Sequence, residues 1–118
     1  MKRPLMAAIG LCILGHAWPA IAADYAPLDC TKARSAAEIT ICRTYTLGQA
    51  EARMATLYSV ATSLVAMGQR GDIQDTQTEF LKTRDACGRD VACLTRAYSR
   101  RIDQLNQVIA AIASHGPY

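Results

Sequence analysis

A fifteen-residue stretch, Phe80-Leu-Lys-Thr-Arg-Asp-Ala-Cys-Gly-Arg-Asp-Val-Ala-Cys-Leu94, constrains the fold more than any other part of the chain. It reads as a helix stop followed by a helix start, with one cysteine on each side. Gly88 stands where a helix C-terminus takes a residue tolerant of positive φ. Asp90 stands where the next helix takes an N-cap acceptor for its free N–H groups. Cys87 then falls in the last turn of one helix and Cys93 in the first turn of the next. A disulfide between them would clamp a tight helical corner, provided the compartment is oxidising.

The N-terminus bears on that condition. Lys2 and Arg3 precede an apolar run from Leu5 to Leu14, Pro19 breaks any helix, and Ala20-Ile21-Ala22 is a small-x-small cleavage pattern. This is the signature of a secretory signal peptide over residues 1–22, cut near Ala22, because the apolar run is too short to span a bilayer. Cys12 lies inside the run after Leu11, where a lipoprotein signal would want a small residue, so it is expected to be discarded and no membrane anchor to remain. Periplasmic localisation follows. Cleavage leaves 96 of the 118 residues, one small domain over residues 23–118 with its core at about 30–113.

Loss of Lys2 and Arg3 from 13 basic residues leaves 11 against 10 acidic ones, close to neutrality. With no run of like charge, nucleic acid and anionic membrane surfaces are poor partners. The four remaining cysteines, Cys30, Cys42, Cys87 and Cys93, form a disulfide framework in a small exported chain. Of three possible pairings, Cys30–Cys42 with Cys87–Cys93 is favoured, since each closes a short local loop that the helix pattern brings together. A zinc site would normally use short Cys-x-x-Cys knuckles, which are absent. No metal and no cofactor is expected.

Helical periodicity covers the rest. Ser35-Ala-Ala-Glu38 is a capping box opening a short helix to about Arg43. Thr44 is placed to cap a second helix carrying Leu47, Ala50, Met54, Leu57, Ala61 and Leu64 on one stripe, widened by Tyr58 and Val65. Gly68-Gln-Arg-Gly71 is expected to be a turn, with Asp72 and Asp75 opening a third helix whose inward face holds Ile73, Gln77, Phe80, Leu81 and Arg84. A fourth helix from Asp90 carries Val91, Leu94, Tyr98, Ile102, Leu105, Ile109 and Ile112. No stretch alternates like a strand. The expected fold is all-α, a small antiparallel bundle of three to four helices stapled by two disulfides. Glu51 and Arg84 fall on inward faces and are expected to meet as a structural ion pair.

Together these residues resemble the lysozyme inhibitor LprI-like family of small exported bacterial proteins. The likeness rests on Cys30, Glu38-x-x-x-Cys42, Leu47, Glu51 and Tyr58. It continues through Gln77-x-x-Phe80-Leu81-x-x-Arg84-Asp85-x-Cys87, then Cys93-Leu94 and Tyr98-x-x-Arg101-Ile102-x-x-Leu105. Phe80 replaces the family's usual Trp, and Glu51 its usual Asp. The resemblance implies a helical periplasmic domain and, as in some members, inhibition of lysozyme.

Catalysis is not expected. His16 leaves with the leader, His115 sits in the tail beside Gly116-Pro117, and no nucleophile, base and orienting group fall together. Asp72 and Asp75 suit helix capping better than an acid/base dyad. The expected activity is binding of a protein partner, a lysozyme above all, by a monomer or weak dimer. A muramidase cleft holds two carboxyl groups flanking the sugar bond, so an inhibitor gains from a donor that reaches them. Arg70, in the expected turn, and Arg89, in the corner, are the candidate contacts. Arg70-Gly71-Asp72 also spells an adhesion tripeptide, but capping by Asp72 is the simpler account. The alternative role is a periplasmic stress chaperone or holdase, exposing apolar surface on acidification, or an envelope assembly factor without inhibitor activity.

Overall fold

Ser35 begins the first helix by the reciprocal capping expected of it. The Glu38 N–H donates to Ser35 Oγ (3.1 Å) and the Ser35 N–H donates to Glu38 Oε2 (3.1 Å). The computed structural model describes residues 27–115, and the signal peptide expected over residues 1–22, with Cys12 and His16, lies outside them, as does Gly116-Pro117. Four helices follow in order: α1 (Ala36–Arg43), α2 (Tyr45–Ser63), α3 (Met67–Ala86) and α4 (Val91–Ser114). No strand occurs among the described residues.

The fold is an all-α bundle with two disulfides. Helix α3 runs antiparallel to both α2 and α4, with Met54 beside Gln77 and Glu51 near Arg84 on one side, and Phe80 beside Tyr98 and Ile73 beside Arg101 on the other. The most extensive packing is between α2 and α4, and α1 lies across the end where α2 begins. Ile41, Leu47, Met54, Leu94, Tyr98 and Leu105 are the largest fully buried side chains. Phe80 meets Tyr98 edge to face, with ring centroids 5.3 Å apart. Edge-to-face aromatic contacts add about 0.5–1.5 kcal/mol beyond the area buried.

Both disulfides have the favoured pairing, Cys30–Cys42 (Cα–Cα 5.7 Å) and Cys87–Cys93 (5.5 Å). Closing loops of these lengths stabilises the fold by roughly 2–3 kcal/mol each in the chain-entropy account. Bonds of this kind belong to an oxidising compartment outside the cytoplasm. Among the described residues no helix is long and apolar enough to cross a membrane.

Two expectations about the middle of the chain are overturned. Gly68-Gln-Arg-Gly71 is not a turn but the opening of α3, which starts at Met67; the turn is Leu64-Val65-Ala66. Asp72 and Asp75 consequently lie inside the helix rather than at its cap. Each interior glycine costs about 1 kcal/mol relative to alanine, and that local preference loses to burial of Val65 and Ile73 and to a side-chain cap described below. Leu64, placed on the core stripe by spacing, is 50% exposed because it is the C-cap residue of α2. Thr44 occupies the N-cap position of α2 but its side chain makes no capping hydrogen bond.

Candidate partner-binding site

The corner between α3 and α4 is built as its residues require. Helix α3 ends at Ala86 with Cys87 as its C-cap, and Gly88 takes φ = 56°, the left-handed region where a Cβ is strained. Asp90 Oδ1 accepts from the Cys93 N–H (3.0 Å), opening α4. The disulfide closes the corner from beneath, and Arg89 is left exposed at its tip. Arg89 is thus an exposed cation carried on a covalently closed backbone corner.

Arg70 is different, and its reading as a free turn residue is corrected. It lies in the first turn of α3, half-buried, and folds back onto the end of α2. Its Nε donates to the Thr62 carbonyl (2.9 Å) and its Nη2 to the Val65 carbonyl (3.2 Å). A helix C-terminus leaves carbonyls without intrahelical partners, and a guanidinium there satisfies them and suits the dipole. Arg70 therefore closes the α2–α3 hairpin. The adhesion tripeptide is helical throughout, which removes the extended loop such a motif needs.

Glu51 and Arg84 do approach across the bundle, at 4.0 Å between Arg84 Nη1 and Glu51 Oε2. Both are buried, but the close bonds run elsewhere. Arg84 donates from Nε (2.9 Å) and Nη2 (2.8 Å) to Asp85 Oδ1, and Nη2 lies 3.8 Å from Glu38 Oε1. Glu51 Oε2 accepts from the Tyr98 hydroxyl (2.6 Å), and Oε1 accepts from the Leu28 N–H (3.1 Å). Burial pushes the Tyr98 phenol well above its ordinary pKa, with the Glu51 carboxylate adding to the effect. Tyr98 is accordingly a permanent donor. This cluster ties α1, α2, α3, α4 and the N-terminal arm together at one point.

The arm itself, residues 27–34, is tied covalently to α1 by the Cys30–Cys42 disulfide and held further by carboxylates. The Arg34 N–H donates to Glu38 Oε2 (2.9 Å) alongside that of Ser35, and these backbone bonds hold the Glu38 carboxyl below its ordinary value, with Arg84 adding a smaller pull. Asp29 Oδ1 accepts from the Thr31 hydroxyl (2.6 Å) and N–H (3.0 Å), which lowers its pKa likewise.

Spacing alone had not marked Arg101 as a site residue. It is buried between α3 and α4, donating to Gln77 Oε1 (2.9 Å), Thr76 Oγ1 (3.2 Å), the Ile73 carbonyl (3.2 Å) and Gln104 Oε1 (3.4 Å). The available signal was positional: Arg101 sits three residues beyond Tyr98 and four before Leu105, inside the α4 stripe. Gln77, which also donates to Met54 Sδ (3.3 Å), links all three long helices through this contact.

His115 is exposed at the end of α4, with Nδ1 2.6 Å from the Ala111 carbonyl. Among the described residues no group of three or more His, Cys, Asp or Glu is placed to hold a metal ion. No family model, no curated protein and no solved structure matches this chain.

Proposed function

We propose that the chain is an exported, periplasmic protein-binding domain of the LprI-like kind, cleaved near Ala22, that protects peptidoglycan by inhibiting a lysozyme. One observation carries the reading. Six of the residues on which the family likeness rests, Glu38, Glu51, Phe80, Arg84, Asp85 and Tyr98, converge on one cluster behind the Cys87–Cys93 corner, buried at Glu51, Phe80, Arg84 and Tyr98 and open to water at Glu38 and Asp85. A motif scattered over most of the chain thus has a common physical purpose, to hold that corner rigid. The closed corner spares backbone ordering on docking, and the exposed Arg89 side chain at its tip can donate to a cleft carboxyl. The role needs no catalytic residue in this chain.

The deciding experiment is inhibition of peptidoglycan hydrolysis by the purified, oxidised protein against each lysozyme class. Slowed hydrolysis by at least one class is expected, and unaffected rates with all of them overturn the reading.

The holdase alternative is favoured by a different observation. Glu38 accepts the Arg34 and Ser35 N–H groups where the arm enters α1, bonds that protonation of its carboxylate weakens. In that reading acid loosens the arm around its Cys30–Cys42 tether and uncovers apolar surface beneath it. Dye binding that rises as the pH falls, with no inhibition of any lysozyme, would select it.

A further inference from the structure

The two buried arginines have opposite electrostatic surroundings. Arg84 is 4% exposed and has carboxylate oxygens of Asp85, Glu38 and Glu51 within 4.0 Å. Arg101 is 3% exposed, and no carboxylate among the described residues reaches it within that distance. Its four acceptors are an amide oxygen from each of Gln77 and Gln104, a hydroxyl and a backbone carbonyl, all neutral. Hydrogen bonds fix the guanidinium in place without neutralising it. A charge withdrawn from water normally has a partner of opposite sign.

The place where such a partner would come from is open. Arg101 lines a groove of about 260 Å³ between α3 and α4, together with the exposed Arg100, the apolar Phe80 and Ala97, and Thr83. One carboxylate, Glu79, also borders the groove, but it pairs with Lys82 at 2.8 Å. The groove therefore combines an apolar wall with two adjacent arginines, one held rigid and one free to swing. Desolvation lowers the pKa of Arg101, the direction an incoming anion would reverse.

We infer that the α3–α4 groove is a binding site for a carboxylate on a short apolar stem, presented by an acidic side chain of the protein partner and received by Arg101 and Arg100. Four of the five Arg101 N–H groups are already engaged, so Arg101 supplies fixed positive charge and one remaining N–H. The exposed Arg100 supplies the planar fork that a carboxylate matches, and the methylenes that carry the carboxylate match the wall of Phe80 and Ala97. The inference deepens the protein-binding reading and rests on it for the source of the carboxylate. It places a second point of contact on the face formed by α3 and α4, in addition to Arg89 at the corner.

The test is a titration of the oxidised protein with glutarate at low ionic strength, followed by amide and arginine Nε resonances in NMR. Glutaramide is the neutral control, and inorganic phosphate the competing anion. Glutarate is expected to shift Arg101 Nε and the amides of Thr76, Thr83 and Ala97, and glutaramide to leave them unmoved. Arg100→Glu, at an exposed position, is expected to weaken glutarate binding by about tenfold or more while leaving the spectrum otherwise folded. Arg101→Gln is expected to abolish it, and should that variant unfold, Arg100→Glu decides. Shifts scattered over the surface, no shift, or equal binding by Arg100→Glu overturns the site. Phosphate binding more tightly than glutarate overturns the choice of carboxylate. The titration contains no lysozyme, so failure of inhibition and failure of the groove are separate results.

Discussion

The Tyr98 hydroxyl on α4 donates to Glu51 Oε2 on α2 at 2.6 Å, with both residues buried and 47 positions apart in the chain. A short bond to a charged acceptor in a dry interior is worth more than a neutral one, and its loss leaves the acceptor short of a donor. Glu51 also accepts from the Leu28 N–H, so the same carboxylate anchors the arm. Tyr98→Phe keeps the edge-to-face contact with Phe80 and removes only the hydroxyl. It is expected to cost roughly 1.5–3 kcal/mol by urea unfolding. Glu51→Gln is expected to destabilise too, and an unchanged midpoint for Glu51→Gln would show that its charge contributes nothing.

The glycines at the two ends of α3 have opposite requirements. Gly68 and Gly71 are helical with room for a Cβ, nothing lying within 4 Å of it. Gly68→Ala and Gly71→Ala should each raise stability, by roughly 0.5–1 kcal/mol. Gly88 also has space, but its φ of 56° penalises any side chain. Gly88→Ala should lower stability by about 1 kcal/mol. Thermal melts of the three variants check the helical placement of Gly68 and Gly71 directly, since in a turn requiring positive φ they too would lose stability.

Arg70 is placed to hold the α2–α3 hairpin through the Thr62 and Val65 carbonyls. Arg70→Ala is expected to cost about 1 kcal/mol, and to speed hydrogen exchange in the last turn of α2. Activity against a lysozyme should follow stability and nothing more. A lost inhibition with an intact melting temperature would restore Arg70 as a contact.

Arg89 should behave in the opposite manner. It is exposed at the corner, so Arg89→Glu should leave stability within about 0.5 kcal/mol of the parent. On the proposed function, the inhibition constant for a lysozyme that the protein inhibits is expected to rise at least about tenfold on reversal of this charge. Equal constants for both proteins would remove the corner from the interface.

The pH dependence follows from Glu38. Its carboxyl is held below its ordinary value of 4.5, chiefly by the Arg34 and Ser35 N–H groups and less by Arg84. A lowered folded pKa means stability present above 4.5 and lost as the pH falls through the folded value. Asp29, lowered from 3.8 by Thr31, has the same sign at lower pH. Protection factors at the Arg34 and Ser35 amides, taken relative to the intrinsic exchange rate at each pH, should therefore fall as the pH drops below about 4.5, before the bundle opens. Glu38→Gln should flatten this response, and a pH-independent arm would contradict the role of the carboxylate.

How much was legible in the chain differed from element to element. The capping box at Ser35, the stop at Gly88 and the start at Asp90 involve groups within four residues of one another, so local chemistry decided them. The α4 stripe was legible because burial of one helix face repeats at a fixed spacing. The α2–α3 turn was misplaced because Gly68, Gly71 and Asp72 favour a turn or cap by local preference. That preference is worth about 1 kcal/mol per glycine, less than the packing and the Arg70 cap that oppose it. Glu51 and Arg84 were recognisable as polar residues on inward faces. Their nearest partners, the donor Tyr98 and the acceptor Asp85, were not, because which of several candidates wins is decided by the final packing distances, 2.6 and 2.8 Å against 4.0 Å for the direct pair.

The corner and its staple were determined by the sequence alone: Cys87, Gly88, Asp90 and Cys93 need only their neighbours to bend the chain and close the bond. Only the tertiary structure decided which arginine does what. Arg70, Arg84, Arg89 and Arg101 are chemically identical, and the chain order does not rank them. Packing withdrew Arg84 beside three carboxylates and Arg101 beside none among the described residues, folded Arg70 onto the end of α2, and left Arg89 in water. The energy of a guanidinium depends on what surrounds it, and for Arg84 and Arg101 much of those surroundings comes from residues tens of positions away.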